Sequence, residues 1–159
     1  MSTGATTAVT LTPEQLLEHW LGHRRLTRRV IEAFPEDQLF TYSIGGMRTF
    51  AQLVMELLAA GAPLLRDMVQ GESTELKQLE ITSKDELLRR WDESMTEIRD
   101  YWQQLPAGRL QEPFTAFGMY TAPAYSLILY SIDNEVHHRG QGYVYLRALG
   151  IEPPAFWER

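Results

Sequence analysis

The sequence predicts an all-α protein folded as a four-helix bundle, and three observations support this prediction. Four long segments repeat apolar residues at the three- and four-residue spacing of an amphipathic helix. Three of them open with a capping pattern, a Thr or Ser followed three positions later by Gln or Glu, at Thr12, Thr49 and Ser83. No convincing strand pattern lies between these segments, so we expect helices packed on helices around one core.

The composition is ordinary for a globular domain. The chain has 159 residues, of which 44% are hydrophobic and 23% are charged. A domain of this length buries roughly 70% of the surface that its unfolded chain exposes. We expect a disordered lead over residues 1–10 and one domain over residues 11–159. No stretch reaches the ~20 apolar residues of a membrane span, and the opening residues lack the basic start and apolar run of a signal peptide.

Cysteine content and charge narrow the classes of function. The chain has no cysteine, which excludes disulfides, thiolate metal sites and a cysteine nucleophile and is compatible with a reducing cytoplasm. The formal net charge of −6 argues against a nucleic-acid partner. We therefore expect a cytoplasmic protein that acts on a small molecule, with neither a nucleic acid nor a membrane as partner.

The first helix is predicted from Pro13 to about Phe34, where Pro35 ends it. His19 and His23 lie four residues apart and therefore share one face of this helix. Such a pair can chelate a metal ion; alternatively, one imidazole lies at the edge of the core and the other in solvent. Four arginines predict either a solvated face or a patch for an anion or an acidic partner: Arg24, Arg25, Arg28 and Arg29.

The second helix, predicted over residues 49–70, carries one isolated carboxylate. Glu56 is the only charged residue between Arg48 and Arg66, and it lies beside the apolar stripe of the helix. Burying a lone carboxylate is unfavourable, so such a group is usually paired, protonated or bound to a cation. We expect His138 of the last helix to be its partner, either in a functional site or in a purely structural pair.

The third helix is predicted after Ser83 and ends before Pro106, and the last helix is predicted from Thr121 to Gly150. The apolar connection at residues 110–120 is expected to form a flap over one end of the bundle or a plug in it. Two aromatic residues of the tail are expected to dock on the body of the domain: Phe156 and Trp157.

The last predicted helix carries a polar stripe beside an apolar row. Its inward positions recur at spacings of three and four residues: Leu127, Ser131, Asn134, His138, Gln141 and Tyr145. The neighbouring row is expected to supply apolar contacts: Leu129, Ile132, Val136, Tyr143 and Leu146. The spacings from Asn134 and from Glu135 to His138 suit two ligands of one cation in a bundle. This pattern predicts a site inside the bundle.

Two segments resemble the DinB-like family. The run DNEVHHRGQGYVYLRALGIEPP resembles the family's last helix, which reads His-x-x-His-His-Arg-Gly-Gln before Tyr-Leu-Arg-x-Leu-Gly and prolines. Thr49-Phe50 resembles the start of the family's Ser/Thr-Phe-x-x-Leu-x-x-x-His segment. The resemblance covers residues 16–154. It implies a four-helix bundle that is often a homodimer and that in many members holds nickel or zinc on three histidines.

The resemblance places the family's three metal ligands on Glu56, Asn134 and His138, and only His138 keeps the imidazole. One interpretation is a retained divalent metal, either nickel or zinc or a harder ion such as iron or manganese, completed by Glu135 or His23. The other is a site that has lost its metal, in which these side chains form a buried hydrogen-bonded network.

The predicted function is a metal-dependent transferase or hydrolase that acts on a small molecule. The resemblance implies a low-molecular-weight thiol as its partner, because characterised relatives include thiol-dependent S-transferases and isomerases. Glu56, His138 and Gln141 are the predicted catalytic residues, with Tyr145 and Trp20 lining the pocket; bound metal would activate a water or thiol. The alternative is a non-catalytic dimeric bundle or a ligand-binding module without the metal.

Overall fold

The computed structural model describes residues 9–159, so the predicted disordered lead falls almost wholly outside the described residues. Five helices form: α1 Pro13–Ala33, α2 Glu36–Thr41, α3 Phe50–Gln70, α4 Lys84–Gln104 and α5 Ala124–Ala148. A single 3₁₀ turn at Arg109–Gln111 and an antiparallel pair of strands, β1 Pro113–Ala116 and β2 Tyr120–Pro123, separate α4 from α5. The four long helices confirm the predicted all-α bundle.

The four long helices pack in the order α1, α4, α3, α5 around the bundle, because α1 and α3 each contact both α4 and α5. Two apolar clusters fill the interior. One contains Trp20 and Ile128 and receives Phe114 of β1, and the other contains Trp91 and Phe50. Because α3 and α5 are neighbours, side chains of the second and last predicted helices can meet, as the sequence prediction requires.

Side-chain caps at Thr12, Thr49 and Ser83 set the starts of α1, α3 and α4, as predicted. The side chain of Thr12 accepts from the backbone of Gln15, and the Gln15 side chain accepts from the backbone of Thr12. Thr49 makes the same reciprocal box with Gln52. Such caps satisfy backbone N–H groups that the first turn leaves unpaired. Gly71 ends α3 with φ 71°, a conformation that glycine adopts without strain.

The hairpin corrects the prediction that the connection holds no strands and that Thr121 caps the last helix. Thr121 instead lies in β2 opposite Thr115, and their hydroxyl oxygens are 2.8 Å apart. The helix therefore begins three residues later, at Ala124. Phe114 and Ala116 alternate toward the core, which is the period-two pattern of a half-buried strand. The short α2 was also missed, because six residues carry little periodic signal.

Several predicted apolar contacts are also wrong. Phe156 and Trp157 of the tail are 62% and 69% exposed, so their rings do not dock on the bundle. The tail is held by polar contacts instead, with Arg29 bound to the Glu158 backbone oxygen and facing its carboxylate. Leu129 and Val136 of α5 are likewise exposed rather than packed. Across residues 9–159, no helix combines the length and apolarity that crossing a bilayer requires.

Candidate functional site

Glu56 of α3 meets two side chains of α5, as predicted. His138 Nε2 lies 3.1 Å from Glu56 Oε1, and Asn134 donates from Nδ2 to the same oxygen at 3.2 Å. His138 and Asn134 are four residues apart, so they share the face of α5 that packs against α3. His138 is buried, whereas Glu56 keeps 28% of its side chain exposed. Solvent or a ligand can therefore reach Glu56, as well as the partly exposed Asn134, but not His138.

Arg48 is a member of this group that sequence reasoning missed. Its guanidinium donates to Glu56 Oε2, the oxygen that the α5 residues leave free. The Arg48 backbone oxygen in turn accepts from the Tyr145 hydroxyl at 2.8 Å, which ties the loop before α3 to α5. The sequence did hint at this pair, because Arg48 is the charged residue that most closely precedes Glu56. Arg48 lies in a loop, however, so helical spacing could not predict that the two side chains meet.

The surrounding donors keep Glu56 ionised. Burial raises the pKa of this carboxyl, but hydrogen bonds from Arg48, His138 and Asn134 outweigh burial and lower the pKa from 4.5 to about 2. A carboxylate with so low a pKa is a weak base at neutral pH. Its chemical role is therefore that of a fixed anion and hydrogen-bond acceptor.

An apolar cleft of about 360 Å³ opens above this carboxylate, between α3, α5 and the hairpin. Glu56 and Asn134 supply polar groups to its lining, together with Ser126 and Ser131. The remaining wall is mainly aromatic and aliphatic: Leu64, Leu76, Phe117, Met119, Tyr120, Leu127 and Tyr130. A mostly apolar cavity with a few convergent polar groups is the usual form of a small-molecule site.

The hairpin brings a conformationally strained residue to the cleft. Phe117 has φ 56°, the one positive value in a non-glycine residue of the described chain, and it precedes Gly118 at φ 67°. Such a conformation is unfavourable for a bulky side chain and persists where the surrounding structure requires it. Here it places the Phe117 ring in the wall of the cleft. The connection that the sequence predicts as a flap or a plug is thus a hairpin that buries Phe114 in the core and lines the cleft with its turn.

Other residues predicted for the site lie elsewhere. Gln141 is 3.3 Å from His137 Nε2 through its side-chain nitrogen and makes no hydrogen bond to Glu56 or His138. Trp20 is buried in the first apolar cluster and does not line the cleft. Tyr145 is buried and reaches the group only through Arg48. The structure therefore joins Glu56, Asn134 and His138 but does not bring Gln141 to them.

Glu135 and His23, predicted as further ligands, belong to a separate buried network between α1 and α5. Glu135 accepts from the Thr27 hydroxyl at 2.6 Å and lies 3.6 Å from Arg24. Arg24 is 1% exposed, stacks over Trp91 and donates to Ser94, so it is not part of a solvated basic face. Neither Glu135 nor His23 can complete a metal site with His138.

The donor set fits a nickel or zinc ion poorly. The Glu56 carboxylate already forms an ion pair with the Arg48 guanidinium, and this positive charge would repel a cation bound at Glu56. Asn134 supplies a neutral amide, which these ions bind weakly. Within residues 9–159, no group of three or more His, Cys, Asp or Glu side chains is arranged to hold a metal ion. Metal binding by Glu56, Asn134 and His138 stays a prediction.

Comparison with known proteins identifies the family. The model of the DinB family matches residues 1–159, the whole chain. The chain belongs to the DinB family. This confirms the family resemblance inferred from the last helix.

Relatives of known structure share the fold. A DinB-like protein from Bacillus cereus has a TM-score of 0.74 at 18% identity, covering 91% of this chain and 97% of that one. The DinB-like protein YjoA from Bacillus subtilis has a TM-score of 0.74 at 19% identity, covering 91% and 99%. A sequence search also matches YjoA, described as uncharacterized, at 22% identity over 148 residues, 91% of this chain and 96% of YjoA. At these identities the likeness shows the fold alone.

Proposed function

We propose that this DinB-family protein binds a small, largely apolar molecule in the cleft above Glu56, without a metal ion. The observation that carries the proposal is an ionised carboxylate, held by three donors, at the lining of an apolar cleft. The ligand's apolar body packs against Phe117, Tyr120 and Tyr130. Its polar end carries an N–H or O–H donor that reaches the carboxylate.

The charge of Glu56 and its free hydrogen-bonding positions determine which polar group the ligand can carry. The side chains of Arg48, Asn134 and His138 occupy part of the hydrogen-bonding capacity of Glu56. A carboxylate accepts about four hydrogen bonds, so one further donor can be received. An anionic head group would meet the Glu56 charge in a partly desolvated setting and would be rejected. Amines, amides and alcohols attached to an aromatic or aliphatic body therefore fit the cleft best.

The test uses benzylamine, which joins an aromatic ring to a cationic N–H donor, and benzoate, which carries the opposite charge. We expect ligand-observed NMR to show benzylamine binding and no benzoate binding. A Glu56→Gln variant should weaken benzylamine binding at least about tenfold, because it removes the anionic acceptor.

Glu97→Gln is the matched control, because Glu97 is an exposed glutamate of α4 outside the cleft. We expect this variant to bind benzylamine as the wild type does. Equal affinity in the Glu56→Gln and wild-type proteins, or tighter binding of benzoate than of benzylamine, would refute the proposed role of the carboxylate.

The finer functional predictions remain predictions. A transferase or hydrolase reaction with a low-molecular-weight thiol requires a group that generates the thiolate, and Glu56 is too weak a base for that step. His138 is the remaining candidate base, and its Nε2 is hydrogen-bonded to Glu56. Homodimer formation and cytoplasmic localisation are likewise expected from the resemblance and the composition.

A further inference from the structure

A second group of polar side chains surrounds His23 on α1, and it shares no residue with the cleft. Arg139 Nη2 lies 2.9 Å from His23 Nδ1, and a guanidinium can only donate, so Nδ1 accepts. Burial, with the charges of Arg139, Arg159 and His19, lowers the pKa of His23 from 6.5 to about 3. The ring is therefore neutral, and its proton lies on Nε2.

In this tautomer, Nε2 of His23 is a hydrogen-bond donor. His19 Nε2 lies 3.3 Å from His23 Nε2 and can accept that proton. Arg159 Nη1 lies 3.2 Å from the same His23 atom, yet a guanidinium has no lone pair to offer. Arg159 Nη1 and His23 Nε2 are therefore two donors only 3.2 Å apart, and an anion bound beside them would accept from Arg159 and, in place of His19, from His23. With its proton in place, His23 Nε2 has no lone pair for a metal ion.

Gly22 leaves room beside His23 for two arginines, Arg159 of the tail and Arg25 of α1 itself. A Cβ built on Gly22 would lie 3.3 Å from Arg159 Cβ and 3.6 Å from Arg25 Nη2. Glycine inside a helix is less favourable than alanine, so its presence here is consistent with a close approach that a side chain would hinder.

Among residues 9–159, neither guanidinium group donates a hydrogen bond to a carboxylate. The nearest carboxylate to Arg25 is Glu18, at 3.9 Å between exposed side chains. Arg159 forms no ion pair with any carboxylate among residues 9–159, although the neighbouring Glu158 pairs with Arg29. Paired arginines beside a donating imidazole match the oxygens of a carboxylate or phosphate group.

We propose that Arg25, Arg159 and His23 form a binding site for an oxyanion, a carboxylate or phosphate group, above Gly22 on α1. The two guanidinium groups supply charge-assisted hydrogen bonds, and His23 Nε2 donates a third in place of its hydrogen bond to His19. The buried Arg139 holds the His23 ring in the tautomer that this requires.

The experiment is isothermal titration calorimetry of the full chain at low ionic strength with two probes, inorganic phosphate and acetate. We expect saturable one-to-one binding of at least one probe, and the tighter probe assigns the ligand as a phosphate or a carboxylate. Arg159→Gln and Arg25→Gln should each weaken that binding at least about tenfold.

Arg99→Gln is the matched control, because Arg99 is an exposed arginine of α4 away from this group. It should leave the affinity unchanged, and circular dichroism should show all three variants folded. Absence of saturable binding with both probes would overturn the proposal, as would equal weakening by Arg99→Gln, which would indicate non-specific charge attraction. Neither result bears on benzylamine binding at Glu56.

Discussion

Single charged side chains in this bundle take their properties from neighbours on other segments of the chain. Glu56 and Glu135 both lie on apolar helix faces, yet Glu56 is paired by Arg48 and His138, and Glu135 by Arg24 and Thr27. Sequence spacing predicted that Glu56 meets His138. It grouped Glu135 with His138 as well, because a three-residue spacing cannot say which of two neighbouring helices receives each side chain.

His23 should make the stability of the protein depend on pH. Its pKa is about 3 in the folded protein against 6.5 as the ordinary value. The unfolded chain therefore binds more protons below pH 6.5, so the contribution of neutral His23 is complete above that pH and is lost as the pH falls. Glu56 adds its own acid sensitivity only below its ordinary pKa of 4.5.

Urea unfolding between pH 6.5 and pH 4.5, compared between the wild type and a His23 variant, reports the His23 contribution. We expect the free energy of unfolding to fall by up to about 1.4 kcal/mol per pH unit from this group alone. A His23→Asn variant keeps an acceptor for Arg139 and should lose that part of the slope. Identical slopes in the two proteins would show that His23 is not held neutral.

At the scale of the elements, capping signals predicted starts well where a helix follows a polar loop, as at Thr12 and Thr49. They failed at Thr121, because the residues before it pair as a hairpin through contacts that no local pattern encodes. The sequence predicted a pocket at Glu56 and Asn134 but not the part of its wall that the hairpin turn supplies, because Phe117 reaches the cleft through a positive φ.

Gly142 gives a direct test of how closely α5 packs on α3. A Cβ at this position would lie 2.5 Å from Cε2 of the buried Phe50 ring. We expect Gly142→Ala to destabilise the protein by about 1–3 kcal/mol through overpacking, despite the better helix propensity of alanine. The measurement is the free energy of unfolding from urea titration.

Gly140 is the control on the same helix, since a Cβ there would have no neighbour within 4 Å. Gly140→Ala should stabilise the protein by up to about 1 kcal/mol, the propensity gain alone. If Gly142→Ala stabilised the protein as Gly140→Ala is expected to do, the close approach of Phe50 to α5 would be wrong.

At the scale of the whole molecule, the bundle carries two polar groups on different sides of α5. Asn134 and His138 face Glu56 of α3, whereas Glu135 and Arg139 face α1. The DinB-family match and the fold were predictable, because they rest on a last-helix motif and long periodic segments. The separation of the two polar groups was not predictable, because residues that are adjacent in the sequence of α5 belong to different groups.

The claim that most of this account depends on is that Glu56 is neutralised by Arg48 and its neighbours rather than by a metal ion. The most direct test is metal analysis by mass spectrometry of protein purified without a His-tag, incubated with nickel or zinc and desalted. We predict far less than one ion per chain, with no further loss in a His138→Ala variant. One tightly held ion per chain that disappears in His138→Ala would contradict the account.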